Sequence, residues 1–284
     1  MAAKKPPEIA EAASDTGVQK AQQRWDRVLV SSFLAGAYIA FGGLVAISVS
    51  SGMDSGTWGT LPTLFTGATF SLGLVLVLIA GSDLATGNMM LVPLSTMRGR
   101  LGLGDVGVNL TLVLVGNLIG SLFVAYFLAV QTGVISSGAP DGSTGLLMYE
   151  RLADIAQGKA LDNSAWETFL RGVGCNWLVC LAVWMAMAAD SVSGKILALF
   201  FPIMGFVAMG FDHVVANMFF LPAAIFAGVP DVGWSDAGIN WLLAGSGNLV
   251  GAVVFVATSY WYLFLKDQPD EEPDPAGAES AERA

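Results

Sequence analysis

Charge, cysteine and histidine are all scarce in this chain of 284 residues. Only 13% of its residues are Asp, Glu, Lys or Arg, against 54% hydrophobic, a balance that cannot clothe a soluble domain and points to a bilayer. The two cysteines, Cys175 and Cys180, share one apolar stretch at a spacing that helical geometry does not bring side by side, which excludes a disulfide framework. A single histidine, His213, with no thiol pair beside it cannot assemble a metal shell, so neither a metal nor another cofactor is expected. A net charge of -10 argues against nucleic acid as a partner, and the apolar content excludes disorder over most of the chain.

Residues 1–27 mix Lys4, Lys5, Glu8, Glu11, Asp15, Lys20, Arg24, Asp26 and Arg27 with no apolar run, and read as a cytoplasmic lead-in that is neither signal nor span. Six apolar stretches follow, at about 28–50, 61–97, 106–131, 166–189, 195–226 and 238–265, each near or above the roughly 20 residues that cross a hydrocarbon core. The second and fifth are too long. Each is interrupted by a polar, glycine-containing patch, Gly81 to Asn88 and Gly210 to His213, the pattern of a discontinuous transmembrane helix. The fold class expected is therefore an all-α membrane protein, six transmembrane helices over 28–266 surrounded by lipid. Lys and Arg collect on one side when both termini are placed in the cytoplasm, as for a multi-pass protein of the inner membrane. The tail, 267–284, sets seven acids against Arg283, with three prolines, and is expected to be disordered.

The chain also repeats itself. Gly81-Ser-Asp83-Leu-Ala-Thr-Gly-Asn88-Met89, continuing to Pro93, aligns without a gap on Gly210-Phe-Asp212-His-Val-Val-Ala-Asn217-Met218, continuing to Pro222. Gly116-Asn117-Leu118-Ile-Gly120 returns as Gly247-Asn248-Leu249-Val-Gly251, and Phe33-Leu34-Ala-Gly36 as Phe169-Leu170-Arg-Gly172. The matches keep their order. Two repeats, about 28–131 and 166–265, each of three spans, must enter the membrane from opposite sides, an inverted repeat whose binding site lies between the two broken helices.

A break inside lipid exposes backbone groups that cost several kcal/mol each, so it must line a cavity or be buried in protein. Half-helices beginning near Asn88 and Asn217 would turn partial positive charge toward a diffusing anion. Asp83 and Asp212 are read as support for the breaks, by capping a half-helix or satisfying freed N–H groups. His213, an ionisable group at mid-span, is a functional candidate, the alternative being a neutral core imidazole bonded on both nitrogens. Thr86, Asn117, Asn176 and Asn248 are the remaining polar groups of the spans and could equally tie helices together.

Cys175 to Trp184, Phe200-Phe201-Pro202-Ile203, Phe206 to His213 and Ala216-Asn217-Met218, with the two repeated segments, resemble the signatures of the formate/nitrite transporter family. The resemblance covers nearly everything between the polar tails. It implies an aquaporin-like protomer in a homopentamer, with one anion path per subunit. On that path the family's central histidine falls on His213, its loop threonine on Thr86, its pore asparagines on Asn176 and Asn248, and its vestibule lysine on Lys159. The outer constriction falls on Phe70, Leu74 and Phe206, and the inner one includes Leu84 and Val179. Ala85 stands where many members carry phenylalanine, which would widen the inner slit, and Asp212 replaces the common glutamate.

The implied function is a channel or transporter for small monovalent anions of weak acids, formate first, then nitrite, hydrosulfide or another small monocarboxylate, together with protons. Passing a bare anion through an apolar slit costs several kcal/mol, whereas protonating a carboxylate of pKa near 4 at neutral pH costs about 4 kcal/mol. The proton is accordingly expected near His213. An aquaporin-like neutral-solute channel would carry Asn-Pro-Ala triplets where this chain reads Gly87-Asn88-Met89 and Ala216-Asn217-Met218. No nucleophile and base pair suggests an enzyme.

Overall fold

Hydrophobic runs of span length govern the architecture. The computed structural model describes residues 3–268, and every regular element among them is a helix. In chain order they are α1 (Pro6–Ala21), α2 (Trp25–Ser50), the single turn α3 (Ser55–Trp58), α4 (Leu61–Ala80), α5 (Ala85–Met97), α6 (Leu103–Phe123), α7 (Thr144–Ala160), α8 (Ala165–Ala188), α9 (Val192–Ala208), α10 (Val214–Ala227), α11 (Trp234–Ala252) and α12 (Ser259–Phe264). Among the described residues, five segments are long and apolar enough to cross a membrane: α2, α4, α6 with its extension to Val130, α8, and α11 with its extension to Phe264. The fifth expected span is divided between α9 and α10, while α4 crosses alone before α5 continues beyond its break. The protein is an all-α membrane protein.

Both breaks are made with the same chemistry. Gly81 closes α4 in the left-handed conformation at φ 78°, and Gly210 follows α9 at φ 71°. Only glycine holds that conformation without a Cβ penalty of about 1 kcal/mol, so the chain can leave one helix and start the next after four residues at the first break and five at the second. Matching π-helical turns extend α6 (Val124–Val130) and α11 (Val253–Thr258).

The repeated glycines mark the helix crossings. A Cβ on Gly120 would collide with the Phe33 carbonyl where α6 crosses α2, and one on Gly247 with the Phe169 carbonyl where α11 crosses α8. Lipid offers no hydrophobic drive between helices, so such backbone-to-backbone approach is what holds them together.

Besides the single turn α3, two helices lie where no apolar stretch predicts one. The segment read as a lead-in contains α1, whose Ile9, Ala10, Ala13 and Gly17 are buried while its charged residues face outward or pair with the body of the protein. Glu11 pairs with Arg98, and Asp15 with Arg100 at 2.7 Å. The second, α7, is an amphipathic helix after the third span. Both are too polar to register as spans, since only one face of each is covered. Of the tail read over 267–284, residues 269–284 lie outside the described residues.

Candidate functional site

The backbone groups freed by the breaks are satisfied from neighbouring helices. Asn117 of α6 accepts the Ala85 N–H at 2.9 Å and donates to the carbonyls of Asp83 (2.9 Å) and Ser32 (2.8 Å). Asn248 of α11 repeats the pattern on the other break, accepting from Val214 N–H and donating to the carbonyls of Asp212 and Gly172, all at 2.8 Å. These two asparagines therefore cap α5 and α10 from outside, satisfying donors and acceptors a break would otherwise bury unpaired. The capping expected of Asp83 and Asp212 falls to them, because each carboxylate is engaged elsewhere. The half-helices start at Ala85 and Val214, a turn earlier than the asparagines Asn88 and Asn217.

Each carboxylate meets a lysine. Asp212 accepts from Lys159 Nζ at 2.7 Å and from Asn217 Nδ2 at 2.9 Å, and Asp83 accepts from Lys20 Nζ. The surroundings repeat as well. Asn88 donates to Asn109, which donates to the Lys20 carbonyl; Asn217 donates to Asn240, which donates to the Lys159 carbonyl. Thus α1 and α7 play the same part for opposite halves, each delivering a lysine to a break.

The halves differ at the starts of the half-helices, where Leu84, Ala85 and Thr86 stand opposite His213, Val214 and Val215. His213 is the N-cap of α10, whereas Leu84 holds the equivalent place before α5. His213 Nδ1 accepts the Ala216 N–H at 3.1 Å, and Nε2 lies 2.9 Å from Thr86 Oγ1. An Nδ1 that accepts a backbone N–H carries no proton, so in the neutral ring the proton is on Nε2 and is donated to Thr86. The Thr86 hydroxyl keeps its own proton for another acceptor. Asn176 fixes the other side of Thr86, donating to its carbonyl at 3.1 Å and to the Asn248 carbonyl at 2.9 Å. Asn176 and Asn248 are both wholly buried and bonded to backbone.

Two cavities approach this pair. The first, about 340 Å³, is lined by His213, Lys159, Phe70 and Phe206 among others. The Phe70 and Phe206 rings meet edge to face with centroids 6.0 Å apart, and Phe206 stacks on the imidazole at the same separation. The second, about 480 Å³, is lined by Lys20, Asp83, Val77 and Val183. Leu74, Leu84, Ala85 and Val179 line neither cavity and are buried, Leu84 directly following Asp83 and Val179 one turn before Val183. The structure therefore brings together Phe70, Phe206, Lys159, His213 and Thr86, and puts the remaining constriction residues in apolar packing beyond them.

Lys20, Asn109, Asn240 and Arg151 are site residues that sequence reasoning misses. Asn109 and Asn240 are separated by the same interval as Asn117 and Asn248, so a longer repeat search would have found them. Lys20 and Lys159 are separated by a different interval and sit in polar helices, out of reach of an ungapped comparison. Arg151, on α7, also lines the first cavity; burial pulls its guanidinium below the usual value, partly opposed by Asp154.

Broken helices whose ends meet at a polar pair, with a cavity on either side and apolar side chains between, define a membrane transport protein rather than an enzyme. Comparison with known proteins agrees and is more specific. A family model described as Formate/nitrite transporter matches residues 7–262, and the chain belongs to that family. It is 46% identical to a probable formate transporter of Methanothermobacter thermautotrophicus, covering 93% of this chain and 98% of that one. It is 34% identical to a nitrite transporter of Salmonella typhimurium, over 90% and 88% of the two chains. Among solved structures it resembles a pentameric formate channel with formate bound, with a TM-score of 0.72 and 28% identity over 85% of this chain and 98% of that one.

Proposed function

We propose that the protein moves formate across the inner membrane together with a proton, through one pore per subunit of a homopentamer, with both termini in the cytoplasm. The observation that carries this reading is the hydrogen bond between His213 Nε2 and Thr86 Oγ1, with one cavity reaching His213 and another beside Asp83 at the other break. The 46% identity to a probable formate transporter supports formate, and the solved pentamer supports the assembly.

An anion enters past Lys159 or Lys20 and reaches the Thr86 hydroxyl. Because His213 donates to Thr86 Oγ1, that hydroxyl is polarised and oriented to donate its proton in a hydrogen bond to the anion. Charging His213 would require a proton on Nδ1, displacing the Ala216 N–H and uncapping α10. The accompanying proton therefore comes from hydronium of the bulk solution, relayed through cavity water, and the imidazole serves to orient Thr86. What crosses the slits is the neutral acid, which avoids the several kcal/mol of carrying a charge through them. Nitrite is the second candidate and hydrosulfide the third. Uptake of labelled formate, nitrite, hydrosulfide, acetate and lactate into proteoliposomes at acidic and neutral pH tests the proposal. Formate uptake that collapses a pH gradient is the expected result, and water or glycerol flux without formate uptake would refute it.

A further inference from the structure

Lys159 is compensated from the start, since Asp212 lies 2.7 Å away, and the pair presents little net charge to an arriving anion. Arg151 differs. Its Nε donates to Ser50 Oγ at 3.0 Å and its Nη2 to Thr66 Oγ1 at 3.4 Å, both neutral hydroxyls, and no ion pair among the described residues includes it. A guanidinium has five donors in a planar fork, so these two bonds leave part of the fork unused. It is half-buried, which makes an unpaired charge costly and an incoming anion welcome.

The position is equally specific. Arg151, Thr63 and Asp154 line both the first cavity and a second, more polar one of about 390 Å³ beside it, so the guanidinium stands at their junction. Thr66 precedes Phe70 by one helical turn, about 6 Å of axial rise, and Phe70 is part of the aromatic constriction. The first cavity's other charged lining residues, Lys159 and Arg171 against Asp154 and Asp162, balance, and the adjoining cavity adds Asp54 and Glu150, so recognition there works through the geometry of the fork rather than net charge.

We propose that Arg151, positioned by the Ser50 and Thr66 hydroxyls that accept from it while donating to the Ala46 and Pro62 carbonyls, forms a docking subsite for planar two-oxygen anions, from which they pass to Thr86 and His213. A fork of parallel N–H groups matches the two oxygens of formate or nitrite and has no matching advantage for a one-centre anion such as hydrosulfide. The subsite rests on the transport reading above and adds a specificity determinant to it.

The test measures half-saturation for formate, nitrite and hydrosulfide in right-side-out and inverted vesicles from the same cells. Arg151→Gln is expected to raise half-saturation for formate about tenfold, the loss of one charge-assisted bond, from the face that carries Arg151 and less than twofold from the other. The maximal rate stays within about twofold. Arg151→Lys keeps the charge without the fork and is expected to lose formate affinity relative to hydrosulfide, while Asp154→Asn lowers half-saturation for both. Unchanged half-saturation from both faces in Arg151→Gln, with a lowered melting temperature, would make the arginine a helix tie only and overturn the proposal. If Arg151→Gln does not fold, an unchanged formate-to-hydrosulfide ratio in Arg151→Lys overturns it instead. Wild-type protein that carries nitrite but not formate corrects the transport reading alone, and the subsite is then judged on nitrite by the same criteria.

Discussion

His213 performs two tasks with one ring, holding the start of α10 through Nδ1 and orienting Thr86 through Nε2. His213→Asn keeps the cap, with its oxygen toward Ala216, while its shorter amide meets Thr86 only if the threonine moves toward it, and it does not titrate. It is expected to retain measurable formate uptake with the wild-type pH profile, whereas His213→Phe loses both bonds and abolishes proton-coupled uptake; a pH profile flattened in His213→Asn would show that imidazole protonation drives transport. Lys159 and Asp212 make a second residue-scale prediction. Asp212 is 1% exposed, so Lys159→Met strands a buried carboxylate and should cost about 3 kcal/mol or more, while Lys159→Met with Asp212→Asn should recover most of it. Thermal unfolding in detergent of the two singles and the double closes that cycle.

At the scale of elements, the broken helices stand because α6 and α11 each lend one asparagine. Asn117 and Asn248 each serve three backbone groups, and a buried group left without its partner costs about 1–3 kcal/mol. Asn117→Leu and Asn248→Leu are isosteric enough to fit, so the expected outcome is a folded-protein yield and melting temperature that fall sharply in both, measured by size-exclusion chromatography and scanning fluorimetry. Asn88→Leu, which removes only a side-chain to side-chain bond, should be milder. The helices α1 and α7 matter here because they carry the lysines. Neither was legible as part of the repeat: their apolar faces are narrow, and the pairing of Lys20 with Lys159 exists only once the chain has folded around both breaks.

For the whole molecule, two half-structures with like hydrogen-bond networks face each other across an asymmetric junction, where His213 answers Leu84 and Thr86 answers Val215. An anion can therefore be received from either side but meets its hydrogen-bonding partner once. Transport as the neutral acid predicts electroneutral flux: initial formate uptake into proteoliposomes should be insensitive to an imposed membrane potential and should rise several-fold as the pH is lowered by one unit. Uptake that follows the potential would mean the bare anion crosses. Ala85 bears on selectivity at this scale, and Ala85→Phe is expected to reduce lactate uptake more than formate uptake in the same vesicles.

What the amino-acid order settled by itself is what periodicity, length and repetition encode. The spans, the two glycine-opened breaks, the duplicated Gly-Asn-Leu segments and the solitary histidine are local or self-similar features, and hydrophobic length in a bilayer leaves few alternatives. Folding decided the rest, because it depends on groups far apart in the chain meeting at short range. That Asn117 and Asn248 rather than the aspartates cap the half-helices, that Asp83 is claimed by a lysine from α1, and that Arg151 spends its hydrogen bonds on neutral hydroxyls follow from how helices cross. Those crossings are set by close backbone contact at glycines such as Gly120 and Gly247, whose partners no spacing in the sequence reveals.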